Sequence, residues 1–175
     1  MLNQKTRLKV SPITDNEFPI FREDIQKAFQ NGIFTREEDE KSEDIILPFE
    51  DIDNGYARKG VITYKATVNN EIIGGAMVSF DKKEEKGILE LLYVKVEAQG
   101  NGYGVELWQK IENLHPEVSI WETFVLYTEH RNLHFYLNLC GFSAVEFFNE
   151  HHKNNTENSE SFNDLLKLRK YVNKT

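Results

Sequence analysis

Val94-Lys95-Val96-Glu97-Ala98-Gln99-Gly100-Asn101-Gly102-Tyr103-Gly104 is the stretch from which the rest of the chain can be ordered. It leaves the apolar run Ile88–Val96, passes through three glycines and enters a helical pattern at Tyr103. Gly100, Gly102 and Gly104 let the backbone turn tightly and come close to a ligand with no side chain in the way. The helix that follows starts with N–H groups that no residue of the helix can satisfy, and such groups bind an anion such as a pyrophosphate. Strand, glycine-rich loop and helix, in that order, point to a phosphate-bearing ligand. Two common phosphate loops do not match. The dinucleotide fingerprint G-x-G-x-x-G is replaced here by G-x-G-x-G, and no Gly-Lys-Ser/Thr exists for a nucleoside-triphosphate loop.

Upstream of this segment, Val61–Val68 and Ile72–Phe80 alternate apolar and smaller or polar residues and are joined by the turn Asn69-Asn70-Glu71. With Ile88–Val96, the most apolar run, they read as an antiparallel meander whose last strand is central. Near the N-terminus, Arg7 to Ile13 reads as a strand. Thr14-Asp15-Asn16-Glu17 has capping-box spacing, and Phe18, Phe21, Ile25, Ala28 and Phe29 recur at helical intervals up to Asn31-Gly32. Downstream, Tyr103–Leu114 carries Leu107, Trp108, Ile111 and Leu114 on one stripe and stops before Pro116. Ser119–Thr128 reads as a strand and Asn132–Cys140 as a short helix closed by Gly141. Phe142–Phe148 and Leu165–Val172 read as final strands, separated by a polar loop over 149–161. No repeat or linker divides the chain, so residues 1–175 are expected to form one α/β domain.

The loop and the order of elements together resemble the GNAT superfamily of acetyl-CoA-dependent N-acetyltransferases. That family's loop reads V-x-P-x-x-[QR]-x-x-G-x-[GA], met here by Val94, Gln99, Gly102 and Gly104, with Val96 in place of the proline. A second family signature, an Asn-containing turn, an aromatic pair and Gly-Phe, resembles Asn132-Leu133-His134-Phe135-Tyr136 followed by Gly141-Phe142. The family tyrosine is commonly followed by three residues before Gly-Phe, whereas Tyr136 is followed by four. Leu137 therefore takes the usual tyrosine position unless the helix carries a one-residue bulge. The resemblance implies a mostly antiparallel central sheet of about seven strands with flanking helices, splayed between Ile88–Val96 and Ser119–Thr128. It implies acetyl-CoA as co-substrate, its pantetheine beside Val94 and Val96 and its pyrophosphate on residues 99–104. Lys95, Gly100, Asn101 and Tyr103 belong to the same cofactor-binding set.

Chemistry adds requirements. An alkyl amine has a pKa near roughly 10.4, so it arrives protonated and needs a base before it can attack a thioester. Glu90 is the only carboxylate inside Ile88–Val96, four residues before Val94 and hence on the same strand face. Burial would raise its pKa toward that of a useful base; the other reading is a glutamate at the edge of a solvated face or in a structural ion pair. Tyr136 is either a proton donor on the cofactor side or a core aromatic. Asn132 either contacts the pantetheine arm or caps its helix. Cys140, with no histidine motif around it, reads as a packed thiol, and Trp108 and Trp121 read as core anchors. No histidine spacing is a trustworthy metal site, so no metal is expected.

The overall composition narrows the partners. With 39% hydrophobic and 29% charged residues, the 175-residue chain has the make-up of a globular protein. No apolar run reaches the roughly 20 residues that cross a bilayer, and MLNQKTRLKV lacks the apolar core of a secretory leader. A lone cysteine suits a reducing cytoplasm. The net charge of −8 argues against nucleic-acid binding. Much of it lies in residues 35–53, where nine acids face Arg36 and Lys41. That segment is expected to form a helix or loop crossing, either simply solvated or an acidic lip suited to a cationic amine, small-molecule or peptide. The resemblance also implies a possible homodimer formed through the late strands.

Overall fold

Apolar strands covered on both faces and apolar stripes on the helices build one seven-stranded sheet with helices on both faces. The protein is described as a computed structural model covering residues 7–34, 48–154 and 164–172. In chain order the elements are β1 (Lys9–Pro12), α1 (Phe18–Phe34), α2 (Phe49–Ala57), β2 (Val61–Val68), β3 (Glu71–Asp81) and β4 (Lys86–Val94). They continue with α3 (Tyr103–Leu114), β5 (Ile120–Leu126), α4 (His130–His134), β6 (Ser143–Phe148) and β7 (Leu165–Tyr171). The sheet order is β1-β2-β3-β4-β5-β7-β6, antiparallel except for β4 beside β5. Central β4 and the β2–β4 meander are as expected. The insertion of β7 between β5 and β6 had no local signal in the sequence.

Each face of the sheet has its own core. On one side, Leu107, Trp108 and Ile111 of α3 and Tyr136 pack on Ala76, Val78, Leu89, Trp121 and Leu168. On the other, Phe21 and Ile25 of α1 and Ile52 of α2 pack on Met77 and Tyr93. Phe21 and Ile25 are completely enclosed, and burying a side chain of that size contributes about 1.5–3 kcal/mol. Close packing also explains Gly75, where an added Cβ would collide with the Phe21 ring and the Tyr64 carbonyl. Buried His115 is satisfied on both sides: Nε2 lies 2.9 Å from the Tyr64 hydroxyl and Nδ1 3.0 Å from Glu117.

Several element ends differ from expectation. Glu17 takes the Thr14 N–H at 3.0 Å, as a capping box requires. The Thr14 hydroxyl, however, donates to the same carboxylate at 2.8 Å and does not accept from the helix. Helix α1 continues past Asn31-Gly32 to Phe34. Of the acidic stretch 35–53, residues 35–47 lie outside the described residues; its end opens α2, where Asp53 accepts from Arg22 Nη1 at 2.9 Å. In the 149–161 loop, His152 stacks on Phe148 with ring centroids 5.4 Å apart and bonds Glu146 at 3.0 Å.

The β5–β7 pairing is reinforced by a buried ion cluster. Glu122 of β5 accepts from Arg169 Nε at 2.8 Å, with Lys167 Nζ at 3.5 Å and Lys86 Nζ at 3.8 Å. Burial alone would raise the Glu122 carboxyl, but Arg169, Lys167 and Lys86 override it and hold the carboxyl below its ordinary value. A depressed carboxyl contributes stability that is complete above its unfolded pKa and is lost as the pH falls through the folded one. Glu122→Gln should therefore cost about 2 kcal/mol at neutral pH, less than a fully enclosed pair because the cations are partly exposed. In chemical denaturation at stepped pH, the gap to the native protein should close below about pH 4.5, the ordinary carboxyl value.

Candidate active site

Strands β4 and β5 run side by side over only three pairs, Lys86↔Ile120, Gly87↔Trp121 and Ile88↔Glu122. The Thr123 hydroxyl then donates to the Leu89 carbonyl at 2.9 Å and closes the apex. Beyond it, β4 stays with β3 as far as Val94 and β5 stays with β7 as far as Leu126. The two strands part, as the expected splay requires. A bulge marks the parting: Leu89 pairs with Val78 and Leu91 with Met77, leaving Glu90 as the extra residue.

That bulge changes what Glu90 faces. Leu89 and Leu92 pack with the α3-side core, whereas Leu91 and Tyr93 pack with the α1/α2-side core. Glu90 lies with the second group, accepting from Ser79 Oγ at 2.5 Å and pairing with Arg58 just past α2. The four-residue spacing to Val94 thus does not place both on one face, because period-two counting fails across a bulge. Nor is Glu90 enclosed; its side chain is 28% exposed.

The glycine-rich loop begins earlier than the apolar pattern suggests. Val96, expected inside the strand, is the first residue of a 3-10 turn over Val96–Ala98. The turn is closed by Ala98 N–H to Lys95 O at 2.9 Å and Gln99 N–H to Val96 O at 3.2 Å. The first residue of such a turn needs no N–H inside it, which is why a proline would also fit there. Gly100 and Gly102 have φ of +79° and +80°, in the left-handed region, and an added Cβ at either meets nothing within 4 Å. Their requirement is conformational. At Gly104 the requirement is proximity: a Cβ would lie 3.0 Å from the Phe135 ring. Its absence makes room for a neighbouring helix, not directly for a ligand.

The loop's polar side chains hold the loop itself. Gln99 Nε2 donates to Val94 O at 2.9 Å, and Asn101 Nδ2 donates to Ala98 O at 3.1 Å. Lys95 pairs with Asp24 of α1 at 3.0 Å and gives its backbone N–H to Ile73 at 2.8 Å. Gly102 sits at the N-cap of α3 with no side-chain cap, and Tyr103 opens the helix, packed against the α3-side core. An uncapped helix start facing a glycine turn presents backbone donors to an anion. A cavity of about 230 Å³ lies between Asp24, Lys27 and Ala28 of α1 and Lys95, Val96 and Glu97.

On the β5 side, the helix expected over Asn132–Cys140 starts two residues sooner, and Glu129 holds its N-cap position. Asn132 is therefore not the cap; its amide donates to the Glu129 carboxylate at 3.2 Å. Residues Phe135–Leu139 form a π turn in which Cys140 N–H reaches Phe135 O at 3.0 Å. This is the one-residue bulge that the long Tyr136-to-Gly141 spacing left open. Tyr136 is buried between Phe135 and Phe142, and its hydroxyl pKa is raised by burial and then by Cys140. Burial pushes the Cys140 thiol up to about 12, as suits a packed and unreactive sulfur. Among the described residues no group of three or more His, Cys, Asp or Glu could hold a metal ion, and no helix is long and apolar enough to cross a membrane.

Sequence reasoning missed Arg58 and Ser79, which hold Glu90, and Arg131, which donates to Gln99 Oε1 at 2.6 Å. Their partners lie 32, 11 and 32 positions away, beyond the reach of local patterns.

Comparison with known proteins agrees with this architecture. The profile of the Acetyltransferase (GNAT) family matches residues 19–142. The Bacillus subtilis (strain 168) protein YrkN is 34% identical over 141 residues, covering 80% of this chain and 75% of YrkN. Among solved structures, the PaiA N-acetyltransferase of Thermoplasma acidophilum in complex with coenzyme A superposes with a TM-score of 0.71 at 14% identity, covering 95% of this chain and 99% of that one. The spermidine N-acetyltransferase of Vibrio cholerae in complex with CoA and spermine gives 0.67 at 12% identity, covering 95% and 96%. With the parted β4 and β5, the glycine turn at the head of α3 and a profile match across most of its length, the chain belongs to the GNAT family of acetyltransferases.

Proposed function

We propose that the protein transfers the acetyl group of acetyl-CoA directly to a primary amine while both substrates are bound. The parting of β4 from β5 after Ile88 and Glu122, with a glycine turn past the end of β4, supports this reading, because a cofactor and an amine could then reach the freed strand ends from opposite sides. Holding both in place removes the need for a covalent acyl-enzyme. Acetyl-CoA supplies an acetyl group activated as a thioester. The chain's part is to position the backbone donors of residues 99–104, to admit the amine and to take its proton.

Glu90 is the proposed base, acting through water. Arg58 and Ser79 both bond its Oε1, which fixes the carboxylate and leaves Oε2 to accept the proton. The ammonium first gives one proton to Glu90 through water; nitrogen then bonds to the acetyl carbon as the carbon–sulfur bond breaks, the thiolate takes a proton from Tyr136, the proposed donor, and the second nitrogen proton restores that hydroxyl. Glu90→Gln should lower kcat about 100-fold, the low end of general-base effects, and leave the KM for acetyl-CoA unchanged. Unaltered kcat across pH would return Glu90 to a purely structural ion pair.

The net charge of −8 supports a cationic acceptor, a polyamine before an anionic amino acid. Release of free thiol from acetyl-CoA, followed across a panel of polyamines, aminoglycoside-like amines, amino acids and peptides, tests the activity and names the acceptor class. The engagement of Glu90 by Arg58 and the enclosure of Tyr136 favour one second reading, a CoA-binding module without catalysis. CoA binding with no turnover on any amine would select it.

A further inference from the structure

The face of α4 turned toward the cofactor loop carries a single cation. Arg131 and Phe135 stand one helical turn apart and reach the same neighbourhood. The Phe135 ring closes on Gly104, and the Arg131 guanidinium donates to Gln99 at 2.6 Å. The opposite face of this segment behaves differently: His130, Leu133, His134 and Leu137 border a separate cavity of about 280 Å³ with Tyr127. Gln99 in turn holds the Val94 carbonyl at 2.9 Å. A chain of two hydrogen bonds therefore runs from the end of β4, through the cofactor loop, to the helix that follows β5. It crosses the mouth of the gap between the strands.

The charges around the loop make Arg131 distinctive. Lys95 is neutralised by Asp24 at 3.0 Å, and Lys110 of α3 lies 4.0 Å from Glu106. The bond Arg131 makes to the loop goes to a neutral amide oxygen. A guanidinium resting on a neutral acceptor gains a stronger, charge-assisted and bidentate partner when a phosphate arrives, whereas a paired lysine gains little. Backbone donors alone must otherwise hold a multiply charged anion on a protein of net charge −8.

We propose that Arg131 is the cationic member of the cofactor site, parked on Gln99 in the free protein and transferred to a phosphate oxygen of CoA on binding. Gln99 is a positioning residue in this scheme: it aims the guanidinium across the loop and releases it. The proposal rests on the acetyl-CoA reading above and adds a residue from the β5 arm to a site otherwise built from the β4 arm. Phosphate oxygen is the shared chemistry of two sources on the cofactor, its pyrophosphate and its 3′-phosphate.

Titration calorimetry with CoA and with 3′-dephospho-CoA, on the native protein and on Arg131→Gln and Arg131→Lys, tests it. Arg131→Gln is expected to weaken CoA binding about tenfold, in line with loss of a charge-assisted hydrogen bond, and to flatten the dependence of Kd on salt. Arg131→Lys should recover part of the affinity and the salt dependence. Equal loss for both ligands assigns the contact to the pyrophosphate; loss confined to CoA assigns it to the 3′-phosphate. CoA affinity within twofold of native in Arg131→Gln, with the same salt dependence, would overturn the assignment while leaving the acetyl-CoA reading intact. Loss of affinity with an unchanged salt dependence would overturn it too, leaving a packing role. Failure of the native protein to bind CoA would overturn both.

Discussion

Gly102→Val should bind CoA at least about 100-fold more weakly than the native protein while remaining folded. The two halves of this expectation come from different physics. Gly102 holds φ at +80°, and a β-branched residue there costs about 1–2 kcal/mol of backbone strain. Space in the free protein is not at issue, since an added Cβ meets nothing within 4 Å. The open space is nevertheless where an anion must approach the first turn of α3, and a valine side chain would stand in it. Strain relieved by rotating the backbone would also re-aim the N–H groups that donate to the anion. Calorimetry with CoA reads the affinity, and urea denaturation of the same variant reads the stability. If affinity survives, the loop is not the phosphate site. If affinity and fold are lost together, the experiment should be repeated with Gly102→Ala, which carries the strain but little bulk.

Trp121→Ala should lose about 3–5 kcal/mol of folding stability, the range for deleting a large buried aromatic side chain. Trp121 is fully enclosed, its ring centroid 5.2 Å from that of Trp108 and 5.9 Å from that of Phe80. The fit leaves no slack: a Cβ on Gly87 would lie 2.5 Å from the indole. Its Nε1 has no hydrogen-bond partner, so the loss is one of packing and not of a polar contact. Typical domains have only about 5–15 kcal/mol in total, so the variant should sit near the edge of folding. Equilibrium urea unfolding measures the difference, and Trp121→Phe should recover most of it by filling part of the volume. A loss below about 1 kcal/mol would show that the surrounding side chains collapse into the space.

Much of the architecture was legible because its signals are local. Helix α3 was readable to the residue: an amphipathic stripe, a glycine ahead of it and Pro116 behind it. The meander β2–β4 declared itself by alternation and by the turn at Asn69-Asn70. Legibility ended where structure depends on distant partners. The insertion of β7 beside β5 rests on Arg169 and Lys167 meeting Glu122, contacts no periodicity announces. Glu90 could be picked out as the one acid in an apolar run, but its face could not, because a bulge reverses the parity on which the count depends. Tyr136 shows an intermediate case. One residue too many before Gly141 could be seen in the sequence, and the π turn is how the chain absorbs it. Residues Val94, Gln99, Gly102 and Gly104 were marked by motif; Arg131, two hydrogen bonds from Val94, carried no mark beyond its place next to Asn132.

The short seam between β4 and β5 has a mechanical consequence. Seven strands form a single sheet by adjacency, yet β1–β4 and β5–β7–β6 are two plates joined by a short seam: three backbone pairs, the Ser119 N–H to the Glu85 carbonyl, the Thr123 hydroxyl and the Lys86–Glu122 ion pair. Beneath them, Trp108 of α3 rests against Trp121 of one plate and shares a buried core with Leu89 of the other. Side-chain packing therefore continues across the midline beyond the point where the backbone ladder stops. Each plate can then change its outer edge through evolution, altering the walls on one side without shifting the alignment of the other.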